Sequence, residues 1–481
     1  MLTKWESAAQ LVDVDRGLVS REVYVNEDLF QQEQERVFAR AWLLVGHESQ
    51  VPNPNDYVVS MMGGECVVLS RDKQGHVHVF LNTCRHRGMK VVRYDAGNTP
   101  LFTCPYHGWS YSTDGSLVEV PGQLVGVPHY KDAYQEQLDK VEWGLVNVAQ
   151  MVNYKGMIWA TWDPAAPSFE DYLGDMKMYL DLLVDALDGR EGGSEVIGGV
   201  IKWRFPGNWK FCAENFGGDP LHLVSHRSVE IAGIGPGGVG HTRNGRNDKP
   251  RPKHGHISFD LGHSVSGVTP YAQYTEYDDD PFPSFESPVG PLDQPRIVSE
   301  YYAEVGARRR ERLKGHVRPP LSGTARIFPN FTCHLHQFPR DMCVWQPMGA
   351  HLTEGWRWLL VDKDAPKEVK DLLRHHYIRY SGPAGMTEQD DMENWNYATA
   401  ASRGTIARRY PYNNSLRLGQ VVPAPNLRMA WWAPTPSEHT QRGFYKRWSE
   451  FMDSTTWDEM MPPRPLVRAA AAEDAVAAGR P

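Results

Sequence analysis

The fold of this chain is decided by two short segments, Cys84-Arg85-His86-Arg87-Gly88 and Cys104-Pro105-Tyr106-His107-Gly108. Seventeen residues separate His86 from Cys104, so the spacing reads C-x-H-x17-C-x2-H. Each segment supplies one thiolate and one imidazole, and both are ligands that iron and zinc accept. A metal centre held by two loops is therefore the first expectation.

The mixture of ligands indicates a Rieske [2Fe–2S] cluster. In such a cluster one iron takes two cysteines, here Cys84 and Cys104, and the other takes two histidines, here His86 and His107. Exchanging two anionic thiolates for neutral imidazoles makes the cluster easier to reduce, with a potential of roughly −150 to +300 mV. The sequence therefore predicts a one-electron relay.

Zinc and a disulfide are the alternatives to a cluster. Zinc motifs usually pair like ligands, as C-x2-4-C and H-x3-5-H, whereas each segment here holds one Cys and one His. A disulfide between Cys84 and Cys104 would leave His86 and His107 unexplained. The cluster is favoured over both.

Strand-like runs flank the two segments. Val77 to Leu81 precedes the first, Leu117 to Val120 follows the second, and Ser112-Thr113-Asp114-Gly115 is a strong hairpin turn pattern. A glycine ends each ligand segment, as expected where backbone approaches a cofactor closely. We expect two β-hairpin loops on either side of the cluster.

Length and charge limit the class of protein. The 481 residues suffice for two or three domains, and a net charge of −8 argues against a nucleic-acid partner. Arg308-Arg309-Arg310-Glu311-Arg312 is accordingly interpreted as a solvated helix face. No signal peptide is visible in Met1 to Gln10, and no apolar run is long enough to span a membrane. The scattered cysteines predict reduced thiols in a cytoplasmic protein.

The residue pattern predicts four regions. Residues 1–41 form an N-terminal helical part with Asn26 as a helix N-cap, and residues 42–163 form an all-β cluster domain. Residues 164–466 form a larger domain that begins with a helix from about Phe169 to Leu187, and residues 467–481 form a disordered, Ala-rich tail. The stretches 233–255 and 278–295 are rich in Gly, Pro and charge and predict surface loops.

A second chemical site is indicated by Asp219, His222 and His226, which read D-x2-H-x3-H. On a helix, His222 and His226 would lie one turn apart with both imidazoles toward one metal. Two histidines and a carboxylate are the facial triad of non-haem Fe(II) oxygenases, which leaves positions open for O₂. Beside a one-electron relay, an iron that activates O₂ is the natural acceptor.

These motifs resemble the large (α) subunit of Rieske non-haem iron aromatic-ring-hydroxylating dioxygenases. The resemblance covers nearly the whole chain, including Asn208-Trp209-Lys210 and Glu214-Asn215-Phe216 before the histidines and Glu388-Gln389-Asp390-Asp391 far beyond them. It implies that Asp391 is the third iron ligand beside His222 and His226. Two departures are the three residues between the histidines, where many members have four or five, and Pro220 directly after Asp219.

The resemblance also implies a fold and a catalytic role for Asp219. The fold is α+β, with an all-β Rieske [2Fe–2S] domain inserted near the N-terminus of a larger catalytic domain whose antiparallel sheet is flanked by helices. Asp219 is then a bridging residue that joins His222 of one subunit to His107 of its neighbour. The helix that carries the histidines either starts at Asp219 or is kinked around Gly217-Gly218.

The implied activity is that of a terminal oxygenase component. It adds both atoms of O₂ to an aromatic ring and gives a cis-dihydrodiol, using one [2Fe–2S] cluster and one mononuclear Fe(II). NAD(P)H acts only through a separate reductase, with or without a ferredoxin. The α subunits are expected to form a homotrimer, commonly with a separate β subunit (α3β3), and no membrane is involved. Gly235-x-Gly237-Gly238-x-Gly240 is rejected as a dinucleotide site because no helix can follow it.

Substrate pocket candidates are chosen for their closeness to the ligand motifs: Asn215, Phe216, Leu223, Ser381 and Thr387. Ser381 and Thr387 stand where some members of the family that act on small rings carry large aromatics, so the resemblance implies a roomier pocket and a hydrophobic, including polycyclic, aromatic hydrocarbon. His334 and His336 keep an aromatic acid such as a phthalate-like compound open, because they could hydrogen-bond a polar substrate. The two metal motifs would also suit a Rieske monooxygenase or demethylase and, less well, a pure electron carrier.

Overall fold

The computed structural model describes residues 7–120, 123–124, 127–128, 134–135, 137–219, 221–232, 255–268, 296–314, 323–335 and 340–466. Both predicted surface loops, apart from Gly255, and the predicted tail lie outside the described residues. The chain divides into two compact units, Phe38–Ala166 and the combination of Met1–Val37 with Pro167–Pro481. An all-β unit is thus inserted near the N-terminus of a larger unit, and the predicted α+β class is confirmed.

The N-terminal segment contributes two short strands and two helices to the larger unit: β1 Val12–Asp13, β2 Leu18–Val19, α1 Glu22–Val25 and α2 Glu27–Glu33. Asn26 caps α2, because its side chain accepts hydrogen bonds from the amides of Asp28 and Leu29. The predicted helix to residue 41 ends earlier, since α2 passes into one π-helical turn, Gln34–Phe38.

The described residues of the smaller unit form twelve strands: β3 Leu43–His47, β4 Asp56–Met62, β5 Glu65–Arg71, β6 Val77–Leu81, β7 Ala96–Asn98, β8 Leu101–Thr103, β9 Ser110–Ser112, β10 Leu117–Glu119, β11 Gln123–Leu124, β12 Val127–Pro128, β13 Gln150–Tyr154 and β14 Met157–Thr161. They form antiparallel sheets in the orders β6-β5-β4-β7, β10-β9-β8, β13-β14-β3 and β11-β12. A core that includes Phe80, Phe102 and Tyr111 packs between them.

Only one of the two ligand loops is a hairpin. The second loop joins the paired strands β8 and β9, as predicted. The first joins β6 to β7, which lie at opposite edges of one sheet, so the prediction of a hairpin there was wrong. Strand pairing depends on distant partners that local sequence does not contain.

The larger unit continues with strands β15 Ser194–Phe205, β16 Gly255–Phe259, β17 Ser264–Val268, β18 Thr324–Ile327, β19 Phe331–His334, β20 Arg340–Gly349, β21 Leu352–Asp362, β22 Tyr412–Asn413, β23 Val422–Pro423 and β24 Ala430–Pro434. Nine of them form one antiparallel sheet in the order β15-β21-β20-β19-β18-β17-β16-β24-β23, and β22 pairs with β2. Its helices are α3 Phe169–Leu173, α4 Lys177–Val184, α5 Trp209–Phe216, α6 Arg227–Ala232, α7 Arg296–Arg312, α8 Lys367–Tyr380, α9 Met386–Ser402 and α10 His439–Asp453.

Two further sequence expectations were wrong in detail. The single helix expected from Phe169 to Leu187 is broken into α3, a 3-10 turn and α4, because Gly174 adopts a positive φ of 53°. The basic run on α7 is not wholly solvated, since Arg309 is buried and donates to the carbonyl of Leu187. The hydrophobic periodicity of the sequence reveals neither the break at Gly174 nor the buried contact of Arg309.

A buried ion pair ties the N-terminal segment to α5. The Glu33 carboxylate accepts from Lys210 Nζ at 2.6 Å, from Trp209 Nε1 at 3.0 Å and from Trp448 Nε1 at 2.8 Å. All four side chains are fully buried. Asn208 caps α5 and donates to the carbonyl of Tyr24. The Asn208-Trp209-Lys210 motif therefore fixes the start of the helix that leads to the predicted iron histidines.

Replacing Glu33 by Gln should destabilise the protein by about 3–5 kcal/mol, because Lys210 would be left as an uncompensated buried charge. The measurement is the free energy of unfolding in urea. Lys367→Met is the matched control, since Lys367 pairs with Asp371 at an exposed position and its loss should cost less than about 1 kcal/mol. Equal losses in the two variants would contradict the role of the buried pair.

Candidate active site with two iron centres

The two predicted cluster loops have the same backbone geometry. The amides of Gly88 and Gly108 donate to the carbonyls of Cys84 and Cys104, both at 2.9 Å. The amides of Cys84 and Cys104 donate in turn to the carbonyls of Met89 and Trp109, both at 2.8 Å. The two glycines have φ values of 70° and 76°, a conformation that other residues rarely adopt. Each loop thus presents one Cys and one His in the same way.

The four side chains suit a two-iron cluster. Cys84 and Cys104 are buried, whereas His86 and His107 are half-buried with ring centroids 4.5 Å apart. His86 stacks on Trp109 at 5.1 Å, and its buried Nδ1 has no hydrogen-bond partner among the described residues, as expected of a metal ligand. Burial raises the pKa of Cys104, so a thiolate there requires a cationic partner.

The geometry argues against zinc in place of a cluster. Among the described residues, the His, Cys and carboxylate groups that converge within 4.8 Å of one another are His222, His226 and Asp391 alone. No three of the Cys and His ligands in the two loops meet that condition, although a tetrahedral ion would bring its four ligands together. Ligands spread over two adjacent irons need not converge on one point.

Tyr111 was missed by the sequence reasoning and lies against the cluster site. Its hydroxyl accepts from the amide of Arg85 at 3.2 Å and lies 3.3 Å from Cys84 Sγ, to which it can donate. Burial and the contact with Cys84 raise the pKa of Tyr111, so the hydroxyl keeps its proton. A donor at a ligand sulfur stabilises the reduced cluster.

The second site brings His222, His226 and Asp391 together in the larger unit. Asp391 Oδ1 lies 3.3 Å from His226 Nε2 and 3.7 Å from His222 Nε2. This oxygen is buried and has no hydrogen bond among the described residues, and the two imidazole rings are nearly perpendicular. Two imidazoles and one carboxylate around a common point fit a mononuclear iron of the facial-triad type.

The histidines do not share a regular helix, contrary to the expectation from their spacing. α5 ends at Phe216, and Gly217 and Gly218 turn the chain away. A Cβ on Gly217 would meet Arg326 Nη1 at 2.1 Å, and Gly218 has a φ of 128°. His222 then lies on a 3-10 turn, Leu221–Val224, while His226 immediately precedes α6. The turn still directs both rings to Asp391.

Both imidazoles are oriented by a second hydrogen-bond partner. His222 Nδ1 contacts the backbone carbonyl of Asp219, which leaves Nε2 unprotonated toward Asp391. His226 Nδ1 lies 3.3 Å from the carboxylate of Asp390, which also accepts from Ser228 at 2.7 Å. Burial lowers the pKa of His226, but Asp391 and Asp390 outweigh it and raise that pKa. The carboxylates of Asp390 and Asp391 therefore favour a cation beside His226.

Asp219 contacts His222 through its backbone rather than through its carboxylate. Its Oδ1 accepts from the amide of Leu221 at 3.0 Å. Pro220 lies outside the described residues. The predicted bridge from this carboxylate to a neighbouring subunit stays a prediction.

The predicted pocket residues fall into two groups. Asn215 Nδ2 lies 3.4 Å from His222 Nε2, and the next residue, Phe216, is buried. Ser381 directly follows α8 and is buried, and Thr387 lies in the first turn of α9, where its hydroxyl donates to the carbonyl of Tyr380. The side chain of Leu223 lies outside the described residues. The pocket assignment stays a prediction.

Comparisons with known proteins agree with both sites. Residues 41–131 match the Rieske [2Fe-2S] domain, and residues 169–454 match the catalytic domain of the ring hydroxylating alpha subunit. The chain is 36% identical to the biphenyl dioxygenase subunit alpha of Paraburkholderia xenovorans (strain LB400) over 477 residues, covering 96% of this chain and 97% of the relative. It is 36% identical to the benzene 1,2-dioxygenase subunit alpha of Pseudomonas putida, covering 94% of each.

A solved structure is similar throughout. Naphthalene 1,2-dioxygenase with indole bound in the active site superposes with a TM-score of 0.78 at 31% identity, covering 93% of this chain and 95% of that one. This chain belongs to the alpha subunits of the aromatic-ring-hydroxylating dioxygenases. The predicted cofactors, a Rieske cluster and a mononuclear iron with O₂ as co-substrate, are thereby confirmed for this dioxygenase subunit.

The assignment of individual ligands in this dioxygenase subunit is open to test by Asp391→Ala. The variant should lose the mononuclear iron and keep the visible absorption of the cluster, because the two sites share no residue. Asp390→Asn should weaken iron binding about 10–100-fold through the orientation of His226. Iron quantitation with the absorption spectrum checks both, and loss of both centres in Asp391→Ala would overturn the partition of ligands.

Tyr111→Phe should lower the reduction potential of the cluster. A hydrogen bond to a charged sulfur is worth about 1.5–3 kcal/mol, which corresponds to at most roughly 65–130 mV for one electron. Spectroelectrochemical titration measures the shift. Tyr57→Phe, in the same core but without a described contact to either cysteine, is the matched control, and an equal shift there would contradict the assignment.

Proposed function

We propose that this alpha subunit dihydroxylates a hydrophobic aromatic hydrocarbon at two adjacent ring carbons. The reaction joins one arene, one O₂, two electrons and two protons in one cis-dihydrodiol, and the electrons come from NAD(P)H through a separate reductase. When bound, the cluster and the iron supply electron transfer and O₂ activation. The relatives named above act on biphenyl, benzene and naphthalene, and these substrates carry no charge.

The observation that supports an uncharged substrate is that the charged side chains behind the iron site are already paired with one another. Asp390, Asp391 and Glu388 lie on one helix, α9. Burial raises the pKa of Glu388, the Arg357 guanidinium opposes that effect and the Asp391 and Asp341 carboxylates add to it, and together these effects place the pKa at about 7. A bound Fe(II) would take up the charge of Asp391, so a substrate carboxylate would have to compete with Glu388 for the cation Arg357.

His334, which could have bound an acidic substrate, is committed elsewhere. Its Nδ1 lies 3.0 Å from both carboxylate oxygens of Asp341. The nearby cation, Arg357, is paired with Asp341 and Glu388. His336 lies outside the described residues. Within the described part of the chain, the groups beside Phe216 therefore favour a ring without a carboxylate.

The residues of this chain have defined tasks in that reaction. Asn215 lies beside His222 and the buried aromatic ring of Phe216 follows it, so an apolar ring is held next to the metal ligands. Asp390 and the Asp219 carbonyl keep the two imidazoles in their ligand orientation.

The assembly and its partners belong to the same proposal. A homotrimer of alpha subunits, commonly with a beta subunit, would let Asp219, whose backbone carbonyl contacts His222 of its own subunit, reach the cluster of the next subunit with its carboxylate. A ferredoxin or a reductase would reduce the cluster. None of the six cysteines forms a disulfide, which suits a reducing cytoplasm. No helix in the described ranges combines the length and apolarity that a membrane span requires.

Oxidation of a substrate panel under isotopically labelled O₂ tests the function. Biphenyl, naphthalene and benzene should give dihydrodiols with two labelled oxygens, whereas benzoate and phthalate should react slowly or not at all. The assay uses the holoenzyme with a reductase and ferredoxin, and Asp391→Ala is the inactive control. One labelled oxygen per product would indicate a monooxygenase, and turnover of the acids alone would contradict the substrate class.

A further inference from the structure

A fully buried chain of charged side chains lies behind Asp391. Glu388 is three residues before Asp391 on α9, so the two carboxylates share one face of that helix. The Glu388 oxygens accept from Arg357 Nη2 at 2.8 and 3.0 Å. Both side chains are only 1% exposed. α9 is thus attached by a charged hydrogen-bonded pair to β21, which lies between β15 and β20 in the sheet.

The chain of charges continues across two neighbouring strands. Arg357 Nη1 lies 3.3 Å from Asp341 Oδ2 on β20. Asp341 in turn holds His334, its register partner on β19. Because these strands belong to one hydrogen-bonded sheet, Arg357 is fixed on the sheet side and can act as a rigid support for Glu388.

The same guanidinium also supports the predicted pocket wall. Its carbon lies 5.4 Å from the ring centroid of Phe216 and 6.0 Å from that of Trp345. Phe216 follows Asn215, whose amide contacts His222. Arg357 thereby contacts Phe216, which follows the residue that touches the candidate ligand His222. Arg357 also pairs with Glu388, which lies one helical turn before the candidate ligand Asp391.

We propose that Arg357 is a positioning residue that sets the iron ligand Asp391 through Glu388 and the substrate wall through Phe216. The pair would fix the rotation of α9 about its axis and hence the direction of the Asp391 carboxylate. Only the part of this inference that concerns Phe216 and the substrate rests on the proposed function. The effect on the iron site can be measured without any substrate.

A matched control exists on the same two strands. Arg340 on β20 is buried and pairs with Asp362 on β21 at 2.6 Å. It lies three residues from Cys343, the register partner of Arg357, or about 10 Å along the strand. Arg340→Lys therefore disturbs a buried ion pair of the same sheet without touching α9.

The test compares Arg357→Lys, Glu388→Gln and Arg340→Lys as holoenzymes. Iron retention is measured by competition with a chelator, and the electron paramagnetic resonance spectrum of the ferrous site with nitric oxide as probe reports its ligand geometry. We expect Arg357→Lys and Glu388→Gln to weaken iron retention about 10–100-fold and to change the spectrum, with the cluster absorption unchanged. Arg340→Lys should lose thermal stability with neither change.

Wild-type retention and an unchanged spectrum in both variants of the pair would overturn the proposal, as would equal changes in Arg340→Lys. If Arg357→Lys does not fold, Glu388→Gln decides alone, since glutamine keeps the shape and a hydrogen bond. Failure of the wild type to dihydroxylate hydrocarbons would instead overturn the proposed function and leave the iron readouts intact.

Discussion

The buried carboxylate of Glu33 is the contact on which the larger unit depends. It receives three hydrogen bonds, from Lys210 and Trp209 at the start of α5 and from Trp448 on α10. The segment that precedes the inserted all-β unit and the segments that follow it are thereby joined at Glu33. Burial of such charges is favourable only when every partner is present, so the contact specifies one arrangement of α2, α5 and α10. The predicted iron site begins at the other end of α5.

A second buried ion pair fixes the position of α9, as the Glu33–Lys210 pair fixes the position of α5. Glu33–Lys210 fixes the helix that precedes His222, and Arg357–Glu388 holds the helix that carries Asp391. The candidate ligands lie on two segments that are far apart in sequence, His222 and His226 on one and Asp391 on the other, so their convergence requires both helices to be fixed. Charged pairs in the interior are suited to this, because they tolerate small displacements poorly.

The parts of this protein that sequence could predict are those that depend on local pattern. The spacing of Cys84, His86, Cys104 and His107 defined a cluster whose type the comparisons confirm. Asn26 as a helix N-cap is local chemistry and is observed. The first ligand loop and the helical placement of His222 and His226 were wrong, since strand order and the turn at Gly217-Gly218 depend on tertiary contacts.

The polar network around the second site could not be predicted in this way. Arg357 is 16 residues from Asp341 and 31 from Glu388, and no periodicity links them. Asp390 was visible only as part of an acidic motif, and its contact with His226 spans 164 residues. Such partners follow from packing of the finished sheet and helices, which a single sequence does not specify.

The central claim is that one polypeptide holds two separate iron centres, and a direct measurement is iron quantitation combined with electron paramagnetic resonance of the dithionite-reduced protein. The account predicts three irons per chain, two in the cluster and one mononuclear, together with a Rieske-type signal from a cluster with nitrogen ligands. A protein reconstituted without oxygen that shows no such signal, or that binds one metal ion at Cys84, His86, Cys104 and His107, would contradict it.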